Sequence, residues 1–375
     1  MFLRYFLLFL VLVAGRVSGQ WTVQPSGTEA HFRSVCAISS KVCWIGGTKG
    51  QVLRTADGGQ TWEIHTIPGA EALDFRDIHA FNAEVAVAMS AGDADKGAAR
   101  IYRTEDAGQS WKLVYQTHQK GAFLDGVEFW DKEHGICFGD PVDHAFFVLT
   151  TSDGGKSWTE VPRENFPAVE EGEAAFAASG TSLTIAGKKW AWIGTGGSRF
   201  ARVFRSKDYG QTWEVAETPL PAGKTSGIFG LYFHNRLQGV AVGGDYVRVT
   251  DSTQNVLTTQ DGGKTWNLEK STYPPGLKEA VRLYRQENTA VVGGAPVTSV
   301  IERLIAVGPS GTCYSMNGGR DWKKLDDSPF HSVSFAGSAG WAVGAKGLIA
   351  RFDGFRSAGK KPSTKNKKKQ SAGSR

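Results

Sequence analysis

The sequence predicts an all-β protein, a seven-bladed β-propeller of four-stranded antiparallel blades. Three observations lead to this prediction. An eight-residue pattern ending in Trp recurs along the 375 residues, short alternating apolar segments flank each copy, and a segment near the N-terminus matches a strand that is missing near the C-terminus. The 47 Gly and 12 Trp suit a protein with many tight turns and a large β-rich core.

The octet has five regular copies and one degenerate copy. They read TADGGQTW (55–62), TEDAGQSW (104–111), TSDGGKSW (151–158), SKDYGQTW (206–213), TQDGGKTW (259–266) and SMNGGRDW (315–322). Their third positions are Asp57, Asp106, Asp153, Asp208, Asp261 and Asn317, which lie 49, 47, 55, 53 and 56 residues apart. A period of about 50 residues is typical of propeller blades. We therefore interpret the octet as a structural turn used once per blade.

Two chemical interpretations of the octet are weaker. The letters GGKT resemble the end of a phosphate-binding loop, but the glycine required five residues before Gly263 is Thr258. A calcium loop needs more carboxylates than the one Asp that each copy supplies. In a turn, by contrast, Asp accepts hydrogen bonds from nearby amides and Gly provides a positive φ.

Each repeat divides into four short strands, with the octet between the third and the fourth. The first repeat reads HFRSVCAIS, KVCWIGGT, GQVLRTA and TWEIHTI. The seventh, FHSVSFAG, GWAVGAK and GLIARFDG, has no octet and no fourth strand, and the segment QWTVQPSG (20–27) matches the missing piece. We therefore predict that an N-terminal strand completes the last blade and closes the ring.

The two ends of the chain differ from the repeats. Residues 1–19 have a basic residue, an apolar run and small residues before Gln20, which predicts a signal peptide, cleavage near Gly19 and export to the periplasm or medium. Residues 356–375 hold eight Lys or Arg and no acid, which predicts a disordered basic tail. Such a tail suits an anionic membrane surface, whereas the absence of interleaved aromatic residues argues against nucleic acid. The propeller is expected to span 20–355.

The motifs resemble those of a known family. The patterns IGG…GxVLRTxDGGxTW and GWAVGAKGLIARFDG resemble the photosystem II stability/assembly factor-like family of exported propellers, over residues 20 to 354. More distantly, the octet resembles the Asp-box, or BNR repeat, of sialidase and sortilin-type propellers. The family resemblance implies a protein-binding assembly role.

Candidate binding residues lie in the loops opposite the octets. Aligning the innermost strands puts Arg33, Arg76, Asp125 and His331 at one equivalent position, which predicts that they surround the mouth of the central channel. The remaining candidates come from loops predicted on the same face: Asp140, Asp143, Arg199, Arg202, Asp245, Tyr246 and Arg248.

Two functional classes fit these residues. In the first, a non-catalytic, monomeric scaffold binds a protein or peptide, with arginines paired to its carboxylates. In the second, the protein is a glycoside hydrolase that uses paired carboxylates from Asp77, Asp125, Glu128, Asp140, Asp143, Glu173 or Asp245. The segments FRSV and FRDI partly match a sialidase motif. We name no catalytic residue and expect no metal and no cofactor, since the His and Cys are scattered and no dinucleotide fingerprint is present.

The cysteines give one local prediction. If Ser39 and Ser40 form a two-residue hairpin turn, Cys36 and Cys43 lie opposite each other, and export would allow a disulfide between them. Cys137 and Cys313 fall in separate blades and are expected to be buried thiols.

Overall fold

The computed structural model describes residues 17–251, 254–270, 275–292 and 295–357. The other residues include the apolar part of the predicted signal peptide and most of the predicted disordered tail, so those two predictions lie outside the described residues. The described chain forms seven four-stranded antiparallel sheets and two short 3-10 helices, Ala94–Lys96 and Arg163–Asn165. The predicted fold class, a seven-bladed propeller, is confirmed.

The strands are numbered in chain order, and β1 (Val17–Gln24) belongs to the last blade. Blades 1 to 3 contain β2 (Phe32–Ala37), β3 (Cys43–Gly47), β4 (Gln51–Thr55), β5 (Glu63–Thr66); β6 (Asp74–Ala80), β7 (Ala86–Ala91), β8 (Arg100–Thr104), β9 (Lys112–Gln116); and β10 (Leu124–Phe129), β11 (Gly135–Val142), β12 (Ala145–Thr151), β13 (Thr159–Glu160). Blades 4 and 5 contain β14 (Leu183–Ala186), β15 (Trp190–Gly194), β16 (Phe200–Ser206), β17 (Glu214–Pro221); and β18 (Ser226–Phe233), β19 (Gly239–Asp245), β20 (Val256–Thr259), β21 (Asn267–Leu268). Blades 6 and 7 contain β22 (Ala280–Val292), β23 (Ala295–Gly308), β24 (Gly311–Ser315), β25 (Trp322–Asp326); and β26 (Phe330–Ala336), β27 (Ala339–Gly344), β28 (Ile349–Ser357).

Strand exchange closes the ring as predicted. β1 pairs antiparallel with β28, from Val17 opposite Ser357 to Gln24 opposite Ile349. The strand therefore begins three residues before Gln20, the predicted start of the mature chain. The Gln24 side chain also accepts from the Trp341 indole at 3.1 Å and donates to the Gly58 carbonyl of blade 1 at 3.1 Å. The exchanged strand thus joins the last blade to the first.

The core lies between neighbouring blades. Alternation along the strands points large side chains into the gap between two sheets, and Trp44, Trp192 and Trp341 of the second strands are fully buried there. The indole N–H groups of Trp44 and Trp192 donate to carbonyls of the next blade; Trp192, for example, donates to the Gly262 carbonyl of blade 5 at 2.9 Å. Each blade is therefore stable only against its neighbours.

The octets form compact turns. In the first turn, Asp57 accepts from the Thr61 amide at 3.0 Å and from the Thr61 hydroxyl at 2.7 Å. The Thr55 hydroxyl donates to Asp57 at 2.9 Å and accepts from the Gly59 amide at 2.8 Å, with Gly59 at φ 80°. These donors, the Thr61 amide first, lower the pKa of Asp57 to about 2. We call the side of the ring that carries these turns the Asp-box face.

The sixth turn keeps both bonds between the third and the seventh position of the octet. Donor and acceptor are exchanged in the bond between the two side chains. Asn317 Oδ1 accepts from the Asp321 amide at 2.9 Å, while Asn317 Nδ2 donates to the Asp321 carboxylate at 2.7 Å. The carboxylate has moved from the third position of the octet to the seventh, and the amide side chain complements it.

This exchange predicts a compensated pair of substitutions. Asn317→Asp would place two carboxylates in contact and is expected to cost about 1–2 kcal/mol, because a hydrogen bond becomes a like-charge pair. Adding Asp321→Thr restores a regular octet and should recover most of the loss. Thermal unfolding of both variants measures this effect. If Asn317→Asp and the wild type have the same melting temperature, the exchange of donor and acceptor between positions 317 and 321 is contradicted.

Blade 6 differs from the sequence prediction. The segments AVRLYRQ and RLIAVGP predict its first two strands at 280–286 and 303–309. In the structure β22 extends to Val292, β23 begins at Ala295, and the two strands pair continuously. β24 ends at Ser315, opposite Leu304, so the rest of the hairpin projects beyond the Asp-box turn of this blade. We call residues 285–302 the arm.

The structure corrects the predicted disulfide. Both thiols are free, and the β2–β3 register places Cys36 opposite Trp44 and Cys43 opposite Ala37. The turn is longer than two residues, since the Ile38 amide bonds to the Val42 carbonyl at 2.9 Å. Because side chains alternate along a strand, the one-residue offset puts the two thiols on opposite faces of the sheet.

Among the described residues, no helix has the length and apolarity needed to cross a membrane.

Candidate functional site

A repeated β-bulge positions the residues at the channel mouth, on the side opposite the Asp-box face. In five innermost strands the register shifts within the first four residues, and the residue within the shift is Arg33, Arg76, Asp125, Phe229 or His331. A bulge redirects a side chain that would otherwise follow the pleat. All five of these residues line one pocket at the mouth.

This pocket has a volume of about 490 Å³, a size typical of sites for small ligands or short peptide segments. Besides the five bulge residues, its wall includes Phe123, Asp140, Ala175, Phe176, Ala177, Ala178, Tyr246, Val249, Leu277, Glu279 and Pro309. The wall therefore combines cations, carboxyl groups and aromatic rings.

Residues 176–181 form the floor of the pocket and cross the channel from blade 4; we call them the channel segment. The Ser179 hydroxyl donates to the Glu279 carbonyl of blade 6 at 2.7 Å, and Ser332 of blade 7 donates to the Ser179 carbonyl at 2.9 Å. Gly180 has φ 72°, and a Cβ there would lie 2.2 Å from Asp77 Oδ1. Glycine is thus required where the backbone meets blade 2.

Two arginines hold the channel segment and still reach the pocket. Arg33 Nη1 donates to the Ala178 carbonyl at 3.4 Å, and Arg76 Nη1 donates to the Ala177 carbonyl at 3.3 Å. Arg76 Nε also bonds to Asp74 at 2.7 Å. The two side chains remain 29% and 32% exposed, and each guanidinium has five N–H groups, so both keep donors for a ligand.

The pocket also contains two neighbouring carboxyl groups, Asp125 and Asp140. Burial raises the pKa of Asp125 well above its usual range, and the charge of Asp140 adds to this, while Arg76 opposes it. Burial raises the pKa of Asp140 to about 6, although Asp140 Oδ1 accepts from the Ala175 amide at 3.0 Å. Both carboxyl groups therefore keep a proton to higher pH than an exposed Asp does.

Blades 6 and 7 supply a third charged group. His331 Nδ1 lies 2.5 Å from Glu279 Oε2, and the other oxygen of Glu279 lies 3.6 Å from Arg33 Nη1. Glu279 thus lies between the imidazole of His331 and the guanidinium of Arg33. The mouth is a mixed-charge site, with two arginines rather than the larger arginine cluster expected from the loops.

Aromatic rings form an apolar shelf at the side of the pocket next to blade 5. Phe176 and Phe229 are stacked, with ring centroids 4.0 Å apart and planes 2° apart. Tyr246 meets Phe176 edge-on at 6.1 Å and is 49% exposed. An apolar ligand side chain placed on this shelf would cover aromatic surface that water now contacts.

The structure brings together six of the predicted residues: Arg33, Arg76, Asp125, Asp140, Tyr246 and His331. The other five do not line the pocket. Asp143 pairs with Arg163, Arg199 lies over the Phe200 ring, and Asp245 caps the following loop and bonds to Arg248 at 3.0 Å.

Arg202 is also placed elsewhere, because it is buried in blade 4. Its guanidinium bonds to Glu173, whose side chain is fully buried, and to the Ala168 carbonyl at 3.1 Å. The carboxylates considered for hydrolysis are likewise dispersed. Asp77 accepts from the Ile78 and Val127 amides, and Glu128 lies deeper in the channel beside His79 and Arg282.

The sequence analysis did not identify three residues that shape the site. Phe229 and Glu279 occupy the same innermost-strand position as Arg33, so the alignment that located the arginines also contains both. No sequence pattern indicated Phe176, because it belongs to the irregular connection before blade 4. The path of this connection depends on contacts with other blades.

Comparison with known proteins shows which proteins the chain resembles. No family model matches the chain. The chain is 25% identical over 255 residues to photosystem II stability/assembly factor HCF136 of Arabidopsis thaliana, and 22% identical over 321 residues to photosystem II assembly protein Ycf48 of Synechococcus sp.. By sequence the chain is thus similar to proteins named as photosystem II stability and assembly factors.

The matched regions differ in extent. The Arabidopsis match covers 66% of this chain and 58% of the relative, and the Oryza sativa HCF136 match, 29% identical, covers 36% and 31%. The chain thus spans well under two thirds of these plant relatives. The Synechococcus match covers 82% of this chain and 81% of the relative.

Solved structures support the fold. A structure entitled "YCF48 bound to D1 peptide" superposes with a TM-score of 0.59 at 16% identity, covering 88% of this chain and 96% of the other. YCF48 from Cyanidioschyzon merolae gives the same TM-score and identity, covering 88% and 98%. At this identity the likeness concerns the propeller architecture.

Proposed function

We propose that this protein is a non-catalytic scaffold that binds a protein through a short acidic peptide segment at the channel mouth. In this proposal a ligand carboxylate, from a chain terminus or an acidic side chain, pairs with Arg33 and Arg76. A neighbouring apolar residue of the ligand packs on the shelf formed by Phe176, Phe229 and Tyr246.

One observation carries the proposal: two partly exposed guanidiniums and an aromatic shelf, exposed at Tyr246 and partly exposed at Phe176, line the same pocket of about 490 Å³. Arginine forks recognise carboxylates with two parallel hydrogen bonds, and a carboxylate would compete with the carbonyls that each Nη1 now contacts. The structural relative YCF48 is bound to a D1 peptide in its own structure, which supports a peptide as the kind of ligand.

Peptide titration tests the proposal. The probe is a labelled eight-residue peptide that ends in an aromatic residue followed by a free acidic C-terminus, and its amidated form is the control ligand. We expect Arg33→Ala/Arg76→Ala to weaken binding of the free-acid peptide by at least about tenfold, or roughly 1.4 kcal/mol. Arg199→Ala, an exposed arginine outside the pocket, should bind like the wild type. Equal binding by all three proteins would overturn the proposed site.

Binding is expected to strengthen as pH falls from 8 to 5. Asp140, with a pKa of about 6, is charged at pH 8 and repels a ligand carboxylate; protonation below pH 6 removes that repulsion. His331 and Glu279 also face the pocket, so the comparison uses Asp140→Asn. This variant should bind more tightly at pH 8 and show a flatter profile between pH 5 and 8. A profile identical to that of the wild type would exclude Asp140 as the titrating group.

A glycoside hydrolase remains the second candidate, because Asp125 and Asp140 are neighbouring carboxyl groups in one pocket and burial raises the pKa of both. A panel of chromogenic glycosides separates the two functions. Turnover that is lost in both Asp125→Asn and Asp140→Asn would favour the hydrolase, whereas absence of turnover together with peptide binding would favour the scaffold.

We infer that the scaffold works as a monomer after export, with the signal peptide removed near Gly19. The N-terminal sequence pattern supports export. Since β1 begins at Val17, cleavage at that point would shorten the exchanged strand and leave Trp21 to Gln24 in it.

A further inference from the structure

The arm of blade 6 is an unusually exposed part of the structure. From the pair Leu304–Ser315, where β24 ends, β23 continues for nine more residues, which corresponds to roughly 30 Å at about 3.3 Å per residue. Residues 295–300 are all exposed, and Val291, Val297 and Val300 are 74%, 51% and 45% exposed. A two-stranded ribbon of this kind is marginally stable in water by itself.

Polarity changes along the arm. Arg285, Glu287 and Glu302 lie near its base, and Arg285 is within ion-pair distance of both acids, at 3.3 and 3.7 Å. Beyond them, residues 288–301 (NTAVVGGAPVTSVI) contain no charged side chain. The exposed valines occur on both faces of the ribbon, because Val291 and Val300 alternate with Val297 in the pairing register. The outer part of the arm is therefore uncharged and carries exposed valines on both faces.

The basic tail begins beside the arm. β28 begins at Ile349 on the mouth side and ends at Ser357 on the Asp-box face, so its last two residues are the first two of the tail. Near that end, Phe355 packs against the base of the arm: its ring lies 5.4 Å from the Tyr284 ring and 3.7 Å from the Arg303 guanidinium. The tail, 356–375, contains eight Lys or Arg and no acid.

We propose that the Asp-box face at blades 6 and 7 docks on an anionic lipid bilayer. In this arrangement the outer part of the arm inserts its valines among the lipid headgroups, and the basic tail, starting from the same face, is attracted to the negative surface. Each Lys or Arg near such a surface strengthens the attraction, and buried apolar side chains add to this. Charge complementarity and the common origin of arm and tail favour a bilayer over a protein strand. The channel mouth then faces away from the membrane.

Fluorescence of a polarity-sensitive label tests this orientation. The label is attached to Val297→Cys on the arm or to Val247→Cys on the mouth side, where the valine is 67% exposed. Both variants carry Cys36→Ser, which removes the one half-buried thiol among the native cysteines; the other three are buried. Vesicles contain phosphatidylcholine with about 30% phosphatidylglycerol, or phosphatidylcholine alone.

We expect anionic vesicles to increase the emission at position 297 at least about threefold and to leave position 247 unchanged. A response at 247 instead, or binding without a response at 297, would overturn the orientation. Emission at 297 that rises with protein concentration in the absence of vesicles would overturn the bilayer as partner and indicate pairing with a second copy of the chain.

Co-sedimentation of the full chain separates the two contributions. We expect Val291→Asn/Val297→Asn/Val300→Asn to lower the fraction bound to anionic vesicles at least about fivefold at 0.3 M salt, where screening weakens the tail. Changing the six tail lysines to glutamine should lower binding mainly at 0.05 M salt. Unchanged binding of the valine variant would show that the arm does not contact lipid, and absence of binding by the wild type at low salt would overturn the proposal.

Discussion

A chain that begins at Pro25 is expected to lose cooperative folding, with a fall in unfolding free energy of more than about 5 kcal/mol, which is comparable to the whole stability of many domains. Removal of β1 would expose the nine-residue edge of β28. It would also remove Trp21, whose ring lies 5.0 Å from Phe330 and 4.8 Å from Phe352. The ring would lose its closure, and an open sheet edge favours aggregation.

Circular dichroism and size-exclusion chromatography of chains beginning at Val17 and at Pro25 measure this loss. Val23→Ala is the matched control, because Val23 belongs to the same strand but is 68% exposed, and its change should stay within about 0.5 kcal/mol. A peptide of residues 17–24 added to the shortened chain should restore part of the cooperative transition, as in strand complementation. A shortened chain that melts like the longer one would show that strand exchange is dispensable.

Glu173→Ala is expected to destabilise the protein by about 3–5 kcal/mol, because it removes the nearer counter-ion of the buried Arg202 guanidinium and leaves Glu170 at 3.9 Å. Glu173 Oε1 accepts from the Thr195 hydroxyl at 2.7 Å and from Arg202 Nε at 3.0 Å. Its Oε2 accepts from the Glu170 amide at 3.0 Å. These bonds fix the chain just before the channel segment, so peptide binding at the mouth should weaken as well.

Chemical unfolding and peptide titration of the same preparations check both effects. Glu214→Ala is the control, because Glu214 pairs with Arg205 but is about half exposed, and its loss should cost less than about 1 kcal/mol. The double variant Glu173→Leu/Arg202→Leu should be more stable than Glu173→Ala, since removing both charges leaves neither one buried alone. If the double variant is the less stable of the two, the unpaired charge is not the source of the loss.

Local sequence patterns were sufficient for the architecture. The octet specifies its own turn, because the bonds of Asp57 involve residues no more than four positions away, and its repetition sets the number of blades. The exchanged strand was visible because the seventh repeat lacks a fourth strand that QWTVQPSG supplies. Alignment of the innermost strands also placed Arg33, Arg76, Asp125 and His331 at equivalent positions. Strand register and turn geometry are short-range properties, so a repeating sequence reveals them.

Tertiary structure decided what the local patterns leave open. The sequence could not show that Arg202 is buried with Glu173, 29 residues away, or that the channel segment supplies the floor of the pocket. It also missed the arm, because the predicted strands of blade 6 ended short of it, and it predicted a cysteine pair that a one-residue register offset separates. The number and path of the blades follow from contacts within a few residues. The charge, depth and lining of the mouth depend on side chains from seven blades that meet only when the ring closes.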